Sequence, residues 1–279
     1  MLFTIPSNSL PFSLVIDIET DSPQSIKMVA RDYSKQNTNY IIRRGVVDGK
    51  RTFTLKFPLS PNVMSLFIFN ERYGNQPNDT DKSFRITKFS VESLKTCPMW
   101  TNADVTNFIE FGEWFCQNAG ELSGTTKTLP FSTYRSKNGK FCIDFYNKIP
   151  DKQNGGYVST PARVGHSSGI IEIAKEDFDK YSVPMRFCIL SHEFSHKYLN
   201  PISKREIGDE ISADIWALNI YMSLGFPSLE AQYAFLRVFS SANNLFNSKR
   251  YKIINAFISD FNSGKLNNCN TDYTPQKAA

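Results

Sequence analysis

The pentapeptide His192-Glu193-Phe194-Ser195-His196 constrains the fold of this chain more than any other feature of its sequence. Two imidazoles four residues apart share one face when the segment is helical, and there they can bind one metal ion with Glu193 beside it. The whole chain contains only three histidines, and two of them meet at this spacing. The pattern therefore predicts a helix here and a second element that supplies a further ligand.

The residues around the pentapeptide have the signals of a buried helix. Pro184 suits a first helical turn, and Asn200-Pro201 ends the apolar periodicity. Apolar residues occur on both sides of the predicted helix, so most of its circumference should be buried. The alternative without a metal is a helix whose two core histidines hydrogen-bond to neighbouring groups.

A second predicted helix, Lys204 to Leu224, carries carboxylates that can complete the site. Glu210 and Asp214 are four residues apart and share a face with two alanines, so this helix could approach the first closely. Glu206 and Asp209 are alternative ligands, because a shifted register of the short connection would bring either of them inward. The sequence therefore predicts a carboxylate ligand from this segment and favours Glu210.

These motifs resemble the gluzincin class of zinc metallopeptidases, the broad group that includes thermolysin, in which HExxH is followed by a helix with Glu-x-x-x-Asp. The resemblance implies that His192, His196 and Glu210 bind zinc and that Glu193 is the general base. It also implies that Asp214 accepts a hydrogen bond from His192, although a surface role is the alternative for this aspartate. Three protein ligands leave one position open for water, and metal-bound histidines commonly donate their other N–H to a carboxylate.

The resemblance covers residues from about 100 to 262. A helix capped at Asn102 precedes four predicted strands, in the order that the family has, and two further helices follow the ligand helix. The predicted strands are Leu129–Tyr134, Phe141–Tyr146, Tyr157–Val164 and Gly169–Ala174, and the last two predicted helices are Ser228–Ser240 and Ser248–Phe261. The family places an edge strand along its substrate cleft, where the run from Gly169 to Ala174 falls. Such an edge binds extended peptides by main-chain hydrogen bonds, and an ordinary inner strand is the alternative.

Three residues are candidates for stabilising the oxygen that becomes negatively charged during peptide hydrolysis: His166, Tyr198 and Tyr251. The sequence does not choose among them, and a lone loop histidine such as His166 is more often solvated. Many family members have a His-Pro pair before the last helix and an arginine shortly after that pair. Here the pair is missing and Arg250 is present, although Lys249 and Arg250 together are interpreted as part of a solvated face.

Residues 1 to about 95 predict a different fold, because period-two alternation runs through them and no helical stretch interrupts it. Asp48-Gly49 predicts a hairpin turn between strands Tyr40–Val47 and Arg51–Phe57. The other predicted strands are Phe12–Glu19, Ser65–Phe69 and Phe84–Leu94. The sequence thus predicts a small antiparallel β-sandwich, a kind of module that often binds protein partners, although the fold alone does not determine this.

Composition agrees with an α+β protein of two domains, residues 1–95 and 100–262, followed by a loose tail over 263–279. A chain of 279 residues with 41% hydrophobic residues can bury two modest cores. The net charge of +5 is small and dispersed, so no nucleic-acid partner is indicated. Five cysteines without metal-ligand spacing indicate free thiols. With no predicted signal peptide or membrane span, the expected location is the cytoplasm.

These observations predict a zinc-dependent metallopeptidase that acts on peptide or protein substrates. The alternative is a structural or assembly subunit, for example of a virion or another large complex, that has this fold without proteolysis. A binding protein with a decayed site is a third interpretation, which is weakened because every residue that the chemistry needs is present. Glu193 distinguishes the first two interpretations, since a structural zinc needs its ligands but no base.

Overall fold

The computed structural model describes residues 1–74, 81–94, 102–122, 132–201, 204–240 and 245–266. The chain forms two compact units, Met1–Thr96 and Cys97–Ala279. Within the described ranges the first unit contains strands and one turn of 3-10 helix, whereas the second contains six helices and a small sheet. The protein is therefore of the mixed α+β class.

The first unit is built on an antiparallel sheet of five strands. These are β1 (Leu2–Pro6), β2 (Phe12–Asp32), β3 (Asn39–Phe57), β4 (Val63–Asn70) and β5 (Arg85–Ser93). Strand β2 pairs with β3 on one side, and on its other side it pairs with β5 along its first half and with β4 along its second half. Ile26, Met28 and Ala30 are fully buried at every second position of β2. The antiparallel pairing is as predicted, and closure into a sandwich stays a prediction.

The predicted hairpin at Asp48-Gly49 is wrong. Strand β3 continues through these residues, and both of its halves pair with β2 rather than with each other. Gly49 has a φ of +71°, and opposite it the register of β2 shifts between Thr20 and Gln24. A glycine at positive φ can serve an irregularity in a long paired strand as well as a hairpin turn, and the Asp-Gly pair alone does not distinguish the two.

The second unit has the order of helix, strands and helices that the sequence predicts, with one short additional helix before the histidines. Its elements are α1 (Ala103–Asn118), β6 (Ser132–Arg135), β7 (Cys142–Tyr146), β8 (Ala162–Val164), β9 (Ile171–Ala174), α2 (Lys175–Phe178), α3 (Val183–Tyr198), α4 (Glu210–Ser223), α5 (Ser228–Ser240) and α6 (Leu245–Asn262). Positions 129–131 of the first predicted strand and 267–279 of the predicted tail lie outside the described residues. Of the helices in the described ranges, none combines the length and apolarity needed to cross a membrane.

The sheet of the second unit has the strand order β6-β7-β9-β8. Strands β7 and β9 are parallel, and the two outer pairs are antiparallel. Among the described strands, β9 therefore has a neighbour on each side, and β8 lies at an edge. For the run from Gly169 to Ala174 the edge position that the resemblance implies is wrong, and the alternative of an inner strand holds. Edge position depends on the order in which strands assemble and not on a strand's own residues.

Aromatic packing fixes α3 against α1. The ring of Phe194 stacks on that of Phe108 with 3.9 Å between their centroids. Gly112 of α1 allows a close approach, because a Cβ there would lie 3.2 Å from the ring of Phe187 and 3.3 Å from Leu190. At about 100° per residue, these α3 residues lie on the side of the helix opposite its two histidines. The helix is thus held by one face while the other carries the candidate ligands.

Helix α4 begins at Glu210, six residues later than predicted. Asn200, fully buried just beyond α3, donates hydrogen bonds from Nδ2 to three carbonyl oxygens of the connection, those of Glu206 (3.2 Å), Ile207 (3.3 Å) and Asp209 (2.9 Å). The side chain of Asp209 then accepts a hydrogen bond from the backbone N–H of Ser212, as a helix N-cap does. The segment that periodicity predicted as the first helical turns is therefore a loop, whose carbonyls are bound by the side chain of Asn200.

Candidate metal site

Helices α3 and α4 bring the side chains of His192, His196 and Glu210 together. The Nε2 atoms of the two histidines are 3.0 Å apart, and the Glu210 carboxylate oxygens lie 3.4 Å from Nε2 of His192 and 3.6 Å from Nε2 of His196. A tetrahedral zinc ion with bonds of about 2.0–2.1 Å separates its ligand atoms by about 3.3 Å. The three distances bracket this value, so the group can hold a metal ion.

A backbone carbonyl orients His196. Its Nδ1 lies 2.7 Å from the carbonyl oxygen of Ile207. Because a carbonyl can only accept, Nδ1 carries the proton and Nε2 presents its lone pair to the group. Burial, together with the positive charge on His192, lowers the pKa of His196. The ring is therefore kept in the neutral form that metal ions bind.

A carboxylate orients His192. Its Nδ1 lies 2.9 Å from Oδ1 of Asp214, and that aspartate is only 1% exposed. The surface role considered for Asp214 is thus wrong. Burial alone would lower the pKa of His192, but the carboxylates of Asp214 and Glu210 outweigh it and raise the pKa to about 10. In the metal-free protein His192 is therefore cationic at neutral pH, and a metal must displace the proton on its Nε2.

Arg250 of α6 joins this group of charges. Its guanidinium donates to both carboxylate oxygens of Asp214, each at 2.8 Å, and lies 2.9 Å from a carboxylate oxygen of Glu210. Burial would raise the pKa of Glu210, but His192 and Arg250 outweigh it and lower the pKa to about 2. The carboxylate of Glu210 is therefore ionised, which is the form that a metal ligand needs.

The interpretation of Arg250 as part of a solvated face is wrong, because the residue is only 8% exposed. A signal for its burial is present in the sequence. Arg250 has the helical spacing of Ile254, Phe257 and Phe261, which form the buried face of α6. The positive charge of Arg250 favoured an exposed position, whereas its helical spacing favoured a buried one.

Glu193 is half-buried in the wall of a cavity of about 270 Å³ that the three candidate ligands also line. Burial raises the pKa of Glu193 to about 7, with a further contribution from Glu210 and against the opposing charge of His192. A backbone hydrogen bond from Val164 holds the carboxylate. A carboxylate with a pKa near neutrality can both accept and return a proton, as a general base must.

The free edge of β8 forms part of the same cavity wall. The N–H of Gly165 donates to the carbonyl of Ile170 at 2.9 Å, so the odd-numbered residues of this segment hydrogen-bond with β9. Backbone groups alternate sides along a strand, and those of Ala162 and Val164 therefore face away from β9. This is the side on which Val164 reaches Glu193. Main-chain donors and acceptors thus lie beside the candidate ligands.

The structure separates the three candidates for binding the charged oxygen. The side chain of His166 is exposed and lines the cavity, with its ring centroid 6.2 Å from that of His196. The hydroxyl of Tyr198 instead points to the carbonyl of Lys140, at 3.5 Å. Neither Tyr198 nor Tyr251 is among the described residues that line the cavity. Of the three, only His166 is placed near the ligands.

The remaining predicted residues have other places. Asp209, considered as an alternative ligand, caps α4, and Glu206 is exposed. Cys116, Cys142 and Cys188 are free and buried, whereas Cys97 and Cys269 lie outside the described residues. Glu210 is therefore the carboxylate of this segment that meets the two histidines.

Comparison of the chain with models of protein families, with curated proteins and with solved structures finds no match. Any function assigned to the site must therefore rest on its own geometry. That geometry consists of three converging ligand atoms, an orienting partner for each histidine, and a half-buried carboxylate beside them.

Proposed function

We propose that this chain is a zinc-dependent peptidase of the gluzincin type. The observation that carries the proposal is the meeting, in one cavity, of the three candidate ligands, Glu193 and the free edge of β8. Two imidazoles and one carboxylate suit zinc and leave a position open for water. When bound, zinc lowers the pKa of its water to about 7 and polarises the carbonyl of the substrate.

Glu193 supplies the proton transfers of the proposed reaction. Its carboxylate takes a proton from the attacking water as the oxygen bonds to the peptide carbonyl carbon. It then gives that proton to the nitrogen as the carbon–nitrogen bond breaks. In the metal-free protein its pKa of about 7 makes the protonated and ionised forms nearly equal in free energy at neutral pH, which supports this role.

Strand β8 supplies the proposed substrate-binding edge, in place of the strand for which the resemblance implied that role. An extended peptide could accept a hydrogen bond from the outward N–H of Ala162 while its scissile bond lies over the ligands. The carbonyl of Ala162 already accepts a hydrogen bond from the hydroxyl of Thr160 at 2.9 Å. Recognition through the main chain needs little side-chain readout, so the proposed substrate class is extended peptide or unfolded protein. Binding of protein partners by the first unit stays a prediction.

The experiment that tests this proposal combines metal analysis with peptide digestion. Protein purified without added metal should contain about one zinc ion per chain, since the site supplies one set of three ligands. Glu193→Gln should retain the zinc, while hydrolysis of a peptide library falls by about 10²- to 10⁴-fold, the range for loss of a general base. Glu206→Gln, which changes an exposed carboxylate on the connection between α3 and α4, should change neither quantity.

Two outcomes would contradict the proposal. A correctly folded wild type without metal would remove the site assignment. A zinc-loaded wild type that cleaves no peptide, and whose function in its source organism survives Glu193→Gln, would favour a structural subunit that needs the ligands and no base.

A further inference from the structure

We infer that His166 is a catalytic residue whose ring donates a hydrogen bond to the scissile carbonyl oxygen while that oxygen gains negative charge. The inference rests on the proposed function and deepens it, because the proposed ligands and base leave this oxygen without a protein donor. Such a donor is worth a large part of the acceleration in acyl transfer, about 10²- to 10³-fold in kcat for one group. Three features of His166 support this role: its place beside the ligands, its unengaged ring and the fixed backbone that carries it.

The position of His166 fits a donor that stands just outside the ligand group. An oxygen beside the metal lies about 2 Å from it, and its hydrogen-bond donor lies about 3 Å further out. His166 is not part of the group whose ligand atoms lie within 4.8 Å of one another, yet its ring centroid is 6.2 Å from that of His196. The residue also follows the end of β8 by two positions, so a peptide paired with β8 would run past it.

The ring of His166 is available to a substrate. In the described part of the chain no hydrogen bond or ion pair engages this ring, and its side chain is exposed. Two guanidinium groups also line the cavity, and both are already engaged. That of Arg250 serves Asp214 and Glu210, and that of Arg163 serves Glu172 and the carbonyl of Pro150. The phenol of Tyr198 points to a backbone carbonyl elsewhere. His166 is therefore the cavity residue best able to meet a new negative charge.

The backbone that carries His166 is tied to the ligand helix. The ammonium group of Lys197 donates to the carbonyl oxygens of His166 at 2.8 Å and of Ser167 at 3.3 Å. Lys197 directly follows His196 in α3. In the same turn Gly169 has a φ of +69°, and a Cβ there would lie 2.9 Å from the hydroxyl of Tyr198, so only glycine fits this close approach. The backbone from which the ring extends is thus fixed relative to the ligands before substrate arrives, and a preorganised donor is what makes electrostatic stabilisation effective.

The test compares binding of a charged tetrahedral probe with binding of an uncharged one. Zinc-loaded wild type and variants would be titrated with a peptide phosphonamidate, which mimics the charged oxygen, and with the matching ketomethylene peptide, which does not. His166→Ala should weaken the affinity for the phosphonamidate about a hundredfold and change the affinity for the ketomethylene peptide less than threefold. The variant should retain its zinc. His166→Gln, which retains an N–H donor, should recover part of the loss, and Tyr198→Phe should change nothing.

Activity measurements give a second reading of the same substitution. On any substrate that the wild type cleaves, His166→Ala should lower kcat and leave KM nearly unchanged, because the interaction forms only as charge develops. Loss of zinc in His166→Ala would overturn the inference by making the residue a ligand. Equal weakening of both probes, or no weakening of either, would overturn it as well.

The outcomes for His166 and for the proposed function are distinguishable. A wild type that prefers the phosphonamidate through His166 but cleaves no peptide would contradict the proposed hydrolysis and support the donor role. A wild type that cleaves peptides at the same rate after His166→Ala would do the reverse.

Discussion

The two histidines of the candidate site are oriented by regions of different chemistry. On the side of α4 and α6, His192 meets the buried carboxylate of Asp214, which Arg250 neutralises. On the side of the connection between α3 and α4, His196 meets only the backbone carbonyl of Ile207. One candidate ligand is held by charged side chains and the other by the backbone of a loop.

This difference determines how each side responds to substitution. A buried group of ions depends on every member, because removing one leaves an uncompensated charge away from water. A backbone carbonyl is present whatever side chain its residue carries, so the loop side tolerates substitution as long as its path is kept. The carboxylates of Asp214 and Glu210 raise the pKa of His192. Burial and the charge of His192 lower the pKa of His196, and the hydrogen bond to the carbonyl of Ile207 does not outweigh them.

The largest effect is expected from Arg250→Met, which breaks the ionic side. Asp214 and Glu210 would then share the single positive charge of His192, and loss of one partner from a buried group of ions costs about 3–5 kcal/mol. Urea unfolding of the metal-free protein would measure this loss. Lys249→Met removes the neighbouring exposed charge of the same helix and should change the free energy of unfolding by about 0.5 kcal/mol or less. Equal effects of the two substitutions would show that Arg250 is not part of the buried group.

A smaller effect is expected from Asp214→Ala, which sharpens the comparison at the level of metal binding. Loss of the partner of a ligating histidine should weaken zinc affinity about 10- to 100-fold, measured by competition with a chelator, and alanine should preserve α4. Ile207→Ala keeps the carbonyl that serves His196 and should leave the affinity within about threefold. If both variants lose affinity equally, the two sides do not differ as described.

The smallest perturbation is a change of pH, which needs no substitution. In the metal-free protein His192, with a pKa of about 10 against an ordinary value of 6.5, should stay protonated well above neutral pH, whereas His196 should lose its proton below 6.5. Nuclear magnetic resonance of the two rings would measure this. A raised folded pKa stabilises the fold below the unfolded value, so the contribution of His192 is fully present below about pH 6.5 and disappears as the pH rises toward 10. Two rings that both titrate near pH 6.5 would refute the contrast.

The parts that the sequence predicted well are local. Pro184 at the start and Asn200-Pro201 at the end predicted the extent of α3 within a few residues, and helical spacing alone placed His192 and His196 on one face. The predicted cap at Asn102 is present, because a cap bond joins neighbours in sequence.

The parts that the sequence missed depend on distant neighbours. The edge position of β8 follows from the order of four strands, which no single strand encodes. The burial of Arg250 follows from carboxylates on another helix. The late start of α4 follows from the side chain of Asn200, which binds carbonyls up to nine residues away. In each case a tertiary contact outweighed a local preference.

The spacing of the candidate ligands has a consequence for chain entropy. Glu210 follows His196 by fourteen positions, so a metal ion bound here closes a short loop, whereas the bond between Asp214 and Arg250 spans 36 positions. The entropy of loop closure grows with the logarithm of length, by about 0.6 kcal/mol for each doubling. A metal ion bound there would therefore be a local cross-link between two successive helices. The ion pair of Asp214 and Arg250, and not a metal ion, contributes to the longer-range attachment of α6 to these helices.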